Sequence, residues 1–273
     1  MIDIHCHILP GVDDGSPDME TSLKLAEVAE KEGITAALLT PHHMDGEYVN
    51  HKNDVEKEVA EFQKQINDHG INFKVFPGQE VHITGELLYE IDDGDILFAD
   101  PYNRYLMLEL PHTGVPEYTE NMLFELIARG ITPVIVHPER NHGFQDDHDL
   151  LYSFVEQGAA TQLTASSYLG VFGKEVEKFT EEIIKSNLGT TFASDAHNFK
   201  GRRYRMGDVY NKLKKQFGIK MVARYEYNAK AILNGDDIEQ GTIMPIKKKK
   251  EIFRFVLINI KIIFSMYFFD DFI

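Results

Sequence analysis

The sequence predicts an α/β fold of parallel strands, arranged as a barrel rather than as an open sheet. Three observations carry this. Short apolar runs alternate with amphipathic stretches about seven times, the pattern of strands joined by crossover helices. A chain of 273 residues fits one large domain better than two small ones. Histidines and carboxylates follow the strand-like runs at ends one to five and seven, where functional side chains sit in parallel α/β folds. An open sheet would gather such residues mainly at its switch point, whereas a barrel gathers them from all round.

In chain order, the first strand-like run is Ile2–Cys6. A helix is expected over Pro17–Glu32, with Ser16 as N-cap, Pro17 at the first helical position and Gly33 past the end. Ile34–Thr40 reads as the second strand. In His51–His69, Val55, Val59, Phe62 and Ile66 recur at helical spacing between charged residues. Strands over Phe73–Phe76 and Tyr105–Leu110 follow, then a helix over Glu120–Arg129 closed by Gly130. Thr132–Val136 is the next strand, and Asp147–Gln157 a helix closed by Gly158. Ala160–Leu163 and Thr190–Ala193 complete the set, with no internal repeat or low-complexity linker before residue 246.

Charge and cysteine usage narrow the partners. The net charge is −16, of which residues 247–273 contribute +3 from six basic and three acidic side chains, leaving −19 on residues 1–246. Such a body disfavours nucleic acid as the main partner, because duplex binding relies on Lys and Arg at phosphates. The single cysteine, Cys6, excludes an internal disulfide framework and fits a reducing cytoplasm. Asp3 and His5 are wrong for a signal peptide. The division expected is one domain over 1–246 and a tail over 247–273. In that tail the basic run Lys247–Lys250 precedes Ile252–Phe269, which is apolar but carries Arg254, Asn259 and Lys261. Lys261 would cost ~2.5–3.5 kcal/mol at the centre of a spanning helix, so two readings stand side by side. One is a surface-lying membrane segment, the other a non-native or frame-shifted extension.

The residues that carry chemistry cluster at the strand ends. His5 and His7 lie two apart on a strand and share a face, half of a typical metal site. Asp13-Asp14-Gly15 follows in a turn. Thr40-Pro41-His42-His43 ends the second strand, with Pro41 stiffening the loop. Glu80 and His82 follow Pro77-Gly78 and share a face if extended. Glu109, inside Leu108-Glu109-Leu110, would be costly to bury without a partner, and a metal ion is one such partner. Val136-His137-Pro138-Glu139-Arg140 and Ala193-Ser194-Asp195-Ala196-His197 repeat the pattern. A lone His-x-His or an acidic turn is more often structural. Core packing, however, has no need of so many polar strand ends, and jointly they predict a site for several metals.

With Asp3-Ile4-His5-Cys6-His7-Ile8-Leu9-Pro10, Asp13-Asp14-Gly15, Leu108-Glu109-Leu110-Pro111, His137-Pro138-Glu139-Arg140 and Ser194-Asp195-Ala196-His197-Asn198, the chain resembles the manganese-dependent bacterial protein-tyrosine phosphatases of capsule and exopolysaccharide loci. These belong to the polymerase-and-histidinol-phosphatase (PHP) superfamily. The resemblance covers roughly residues 1–240 and implies a distorted (β/α)7 TIM-like barrel with three Mn²⁺ ions, Zn²⁺ or Fe²⁺ suiting the same donors. By position it implies one ion on His5, His7, Glu80 and Asp195. A second would take Glu80, Glu109 and His137, and a third Asp14, His42 and His197. It also implies a phosphotyrosine protein as substrate, a bacterial tyrosine autokinase at the inner face of the membrane.

Charge counting agrees with a phosphate ester. Asp14, Glu80, Glu109 and Asp195 oppose three divalent ions, so with a bridging hydroxide and a bound dianion the site totals about −1 and needs a cationic side chain. Arg140 is expected to supply it. Arg202, favoured by the resemblance, joins it, while Arg203 and Arg205 read as surface charge. Metal-activated hydroxide would then attack phosphorus in line. A cysteine-based phosphatase would need Arg six residues after Cys6, where Val12 stands. His51, His69, His112, His142 and His148 read as solvated. The competing functions are a small-molecule phosphatase of the histidinol-phosphate type, a nuclease of the same fold, and a non-catalytic metal-bound module tethered through the tail.

Overall fold

The computed structural model describes residues 1–247, so the expectations for the tail fall outside the described residues apart from Lys247. The elements in order are β1 (Ile2–Cys6), α1 (Met19–Lys31), β2 (Ala36–Leu39), β3 (His42–His43), α2 (Lys52–Asp68), β4 (Lys74–Pro77), β5 (Glu80–His82), α3 (Leu87–Asp93) and β6 (Tyr105–Glu109). There follow α4 (Thr119–Ala128), β7 (Thr132–Val136), a 3₁₀ turn (Pro138–Arg140), α5 (His142–Asp146), α6 (His148–Glu156), β8 (Ala160–Thr164) and α7 (Ala165–Tyr168). The last elements of the described residues are α8 (Lys174–Lys185), β9 (Thr191–Ala193), α9 (Met206–Phe217) and α10 (Ile219–Asn234).

All strand pairs are parallel, in the orders β1-β2-β4 and β3-β5-β6-β7-β8-β9. The two sheets are one barrel interrupted twice. Thr40-Pro41 separates β2 from β3, because proline lacks the N–H a ladder needs, and Gly78-Gln79 separates β4 from β5. The bonds Gly78 N–H to Leu39 O (2.9 Å) and Glu80 N–H to Pro41 O (3.0 Å) carry the pairing across both gaps. Asp195 N–H to His5 O and His7 N–H to Ala196 O, both 2.9 Å, close β9 onto β1. Counting each interrupted pair as one stave gives seven, the distorted (β/α)7 barrel expected.

Two apolar layers hold it. Leu38, Met107, Val134, Val136, Ala160 and Ala193 form the inner layer, with Ala229, Ile232 and Leu233 of α10 beneath them. The outer layer lies between strands and helices, and α2 joins it through the Val55, Val59, Phe62 and Ile66 stripe. One detail of β1 aims the site. The register of β1 on β2 slips between Asp3 and Cys6. Ile4 accordingly packs in the inner layer and Cys6 in the outer, although both are even-numbered. A bulge of this kind re-aims side chains, and here His5 and His7 turn towards the barrel mouth.

The start of α1 differs from expectation for a physical reason. The N-cap of α1 is Asp18, whose carboxylate accepts the Thr21 N–H at 2.8 Å, and the helix starts at Met19. Ser16 and Pro17 precede it, because the Ser16 side chain is buried against Ser22 Oγ at 2.8 Å. Among the described residues no helix is long and apolar enough to cross a membrane.

Candidate metal centre

Glu80, at the start of β5, lies at the centre of the strand ends. Its side chain is buried, and four imidazoles surround it: His137 Nε2 at 2.8 Å from Oε1, with His42 Nδ1 at 3.0 Å, His7 Nε2 at 3.2 Å and His5 Nε2 at 3.3 Å from Oε2. Glu109 Oε1 is 3.7 Å from His137 Nε2, and Glu109 Oε2 is 3.8 Å from His42 Nδ1. Asp195 Oδ1 lies 3.6–3.7 Å from His5 and His7. Asp14 Oδ1 bridges His197 Nε2 at 3.2 Å and His42 Nε2 at 3.4 Å. All nine predicted donor residues therefore meet at one mouth.

The donors fit cations better than they fit one another. Glu80 Oε2, His42 Nδ1 and His197 Nε2 are buried without a properly directed hydrogen bond, despite neighbours within about 3 Å. His5 Nε2 and His7 Nε2 face each other at 3.0 Å. Lone pairs that converge on shared points between residues, rather than on donors, suit ions placed at those points. Three groups have donor atoms within 4.8 Å of one another: His5, His7 and Glu80; His42, Glu80 and Glu109; and His7, Asp14, His42 and His197. This grouping differs in part from the one the resemblance implied, because His42 turns one ring nitrogen to Glu80 and the other to Asp14.

A second layer orients the first. Gln162 Oε1 meets His5 Nδ1 at 2.8 Å, Asp13 Oδ2 meets His7 Nδ1 at 2.7 Å, and the Asp195 carbonyl meets His197 Nδ1 at 3.0 Å. Each contact leaves Nε2 as the donor facing the site. His82 Nδ1 holds Glu109 Oε2 at 3.0 Å. Asp13 also accepts the Gly15 and His42 N–H groups, tying the turn after β1 to β3. Gly15 is obligatory there, since a Cβ would stand 2.0 Å from His7 O. Asp3, buried behind the site, accepts the Ser194 N–H at 2.9 Å and its hydroxyl at 2.5 Å. It thereby fixes the turn that presents Asp195. Asp195 (φ 51°) and His137 (φ 34°) both adopt left-handed backbone, which costs non-glycine residues about 1–3 kcal/mol each. That strain is held in place by the surrounding contacts.

Electrostatics follow from the crowding. Burial opposes charge on His5, but Glu80 and Asp195 outweigh it and raise its pKa to about 9. The same balance, with Glu80 and then Asp14 opposing burial, raises His42 to about 10. Burial and the neighbouring His7 lower His197 to about 4. Against burial, Arg202 and Arg140 hold Asp195 well below the usual carboxylate range. Their contacts are direct: Arg140 Nη1 donates to Asp195 Oδ2 at 2.6 Å and Arg202 Nη2 to Oδ1 at 2.7 Å. Arg203 is exposed, as expected. His112 is exposed too, yet it stacks on His137 (centroids 5.5 Å apart) and places Nε2 3.4 Å from Arg140 Nη2. It belongs to the mouth of the site rather than to distant surface.

Asp13, Gln162, Asp3 and His112 were missing from the predicted site. Asp13 lies in the Asp13-Asp14-Gly15 turn, where its ordinary turn role masks its second one of holding His7. Asp13→Ala is expected to weaken metal binding about 10–100-fold, the usual cost of losing such an orienting partner. Titration of chelator-stripped protein with Mn²⁺ checks this, and an unchanged affinity would reduce Asp13 to a turn residue.

Comparisons with known proteins agree with this geometry. Residues 1–234 match the family model described as capsular polysaccharide synthesis, CpsB/CapC. Tyrosine-protein phosphatase YwqE of Bacillus subtilis is 37% identical over 250 residues, 92% of this chain and 98% of that protein. The putative tyrosine-protein phosphatase CapC of Staphylococcus aureus is 34% identical, over 92% of this chain and 98% of its own length. A crystal structure from work on YwqE of B. subtilis and CpsB of Streptococcus pneumoniae, described as unique metal-dependent tyrosine phosphatases, superposes with a TM-score of 0.87. It is 36% identical and covers 91% of this chain and all of that one.

Proposed function

Given that this chain belongs to the CpsB/CapC family, we propose that it is a metal-dependent protein-tyrosine phosphatase acting in capsular or exopolysaccharide synthesis. The observation that carries the reading is the pairing of two features at one mouth. A buried carboxylate, Glu80, is ringed by imidazoles with unmatched lone pairs, and two guanidiniums lie against the adjoining Asp195.

Divalent ions held by His5, His7, Asp14, His42, Glu80, Glu109, His137, Asp195 and His197 would acidify a water and polarise the phosphoryl oxygens. The chain's own residues do the rest. Arg140 and Arg202 bind the non-bridging oxygens and stabilise charge that grows on them as the ester bond breaks. Asp195 keeps both guanidiniums turned into the mouth. Apart from half-exposed Asp14, and His42 with a side chain 12% exposed, the donors are nearly inaccessible, so a phosphate must be carried down to them. Phosphotyrosine carries its phosphate a ring further from the backbone than phosphoserine does. Its phenolate, with a pKa of about 10, also leaves without a strong acid to protonate it.

Manganese is the native ion in this reading, with zinc or iron as the alternatives these donors admit. The phosphatase body is residues 1–246, it acts in the cytoplasm, and its substrate is a bacterial tyrosine kinase with a phosphorylated tail. The test is hydrolysis of matched phosphotyrosine and phosphoserine peptides by chelator-stripped protein with and without Mn²⁺. Activity on phosphotyrosine alone, restored by Mn²⁺, is expected. No activity on either peptide, with metal bound, would move the substrate to a small phosphorylated metabolite.

A further inference from the structure

One contact of Arg140 has no part in the scheme so far, and its meaning rests on Arg140 binding the substrate phosphate as read above. The guanidinium is approached from three sides, two of them strand ends. Asp195, beyond β9, takes Nη1 at 2.6 Å. His112, beyond β6, lies 3.4 Å from Nη2. Phe172, in the loop between α7 and α8, lies under its face, with the Arg140 Cζ 4.9 Å from the ring centroid. Phe172 is half-buried, and the loop that carries it is turned by Gly170 (φ 76°) and Gly173 (φ 97°) on either side.

We propose that Phe172 is a positioning residue for the reaction, setting the plane in which Arg140 meets the phosphate. An aromatic face attracts a guanidinium through its quadrupole and leaves the N–H edge free. The edge is the part that binds two phosphate oxygens in parallel. Asp195 cannot set that plane alone, because it is shared with Arg202, His5 and His7. Among the described residues, the Phe172 ring faces no other cationic side chain. The ring acts on Arg140 and through it on the substrate; it is not itself catalytic.

The test is a double-mutant cycle on the full chain loaded with Mn²⁺. It compares Phe172→Leu, Arg140→Ala and the pair, with Phe172→Tyr as the conservative variant. The readouts are kcat and KM on a phosphotyrosine peptide, inhibition by inorganic phosphate, and bound metal. Phe172→Leu is expected to lower kcat and weaken phosphate inhibition about three- to thirtyfold, with bound metal unchanged. Phe172→Tyr restores both, and Phe172→Leu adds nothing once Arg140 is alanine. An equal Phe172→Leu loss in both backgrounds would overturn the proposal, since the ring would then act on substrate or fold directly. So would an unchanged Phe172→Leu enzyme beside a crippled Arg140→Ala enzyme. If Arg140→Ala itself kept full turnover, the reading of Arg140 would fall, and the proposal with it.

Discussion

Glu80→Ala is expected to lower phosphotyrosine hydrolysis at least about a thousandfold while the barrel stays folded. Among the described residues, Glu80 is the one side chain that touches His5, His7, His42 and His137 together, so its loss disassembles two of the three donor groups at once. Folding should survive because neither apolar layer includes it. The charge left behind is also manageable, since His5 and His42 are held protonated largely by this carboxylate and can lose their protons without it. His5→Ala and His137→Ala belong to the same class and should lose most activity with the fold intact. Metal content, circular dichroism and turnover are measured on the same sample. A Glu80→Ala protein that unfolds even with Mn²⁺ present would make the cluster structural. One that turns over within about tenfold of the parent would remove Glu80 from the chemistry.

Much of this site was legible because strand ends leave a strong mark. An apolar run with helical neighbours fixes where a strand stops, and a His or Glu immediately after it needs a reason to be there. That logic located Glu80, Glu109 and His137 without any geometry. It located four of the helices as well, α1, α2, α4 and α6, with α2 falling inside the expected His51–His69. It could not see the β1 bulge, since a register slip depends on which residue of β2 lies opposite. Nor could it sort donors into groups, because His42 serves two groups with two ring nitrogens. His112 escaped for a related reason. Its role comes from loops that meet only in the closed barrel, and in sequence it is a histidine in a polar turn. The Asp18 cap was missed because Ser16 and Pro17 made an equally good local start, which the burial of Ser16 overrode.

Metal loading is expected to release about two protons per protein near neutral pH, and its affinity to climb with pH up to about 9. In the metal-free protein His5 and His42 have pKa values raised from 6.5 to about 9 and about 10, so both are charged at pH 7.5. A metal ligand must be a neutral imidazole, so each proton has to leave as an ion binds. With one proton displaced at each histidine, the affinity of the ion bound there rises about tenfold per pH unit until that histidine begins to lose its proton unaided. Folding stability of the metal-free protein runs the other way. The contribution of a raised pKa is fully present below the unfolded value of about 6.5 and is lost as pH passes through the folded value. Metal-free protein should therefore weaken progressively between about pH 6.5 and 10, while metal binding strengthens over most of the same range. Calorimetric titration with Mn²⁺ in two buffers of different ionisation enthalpy counts the protons directly, and thermal unfolding from pH 6 to 10 follows the second effect. Binding heats that do not depend on the buffer would mean that both histidines are already neutral, and that Glu80 shares its charge with the cluster in some other way.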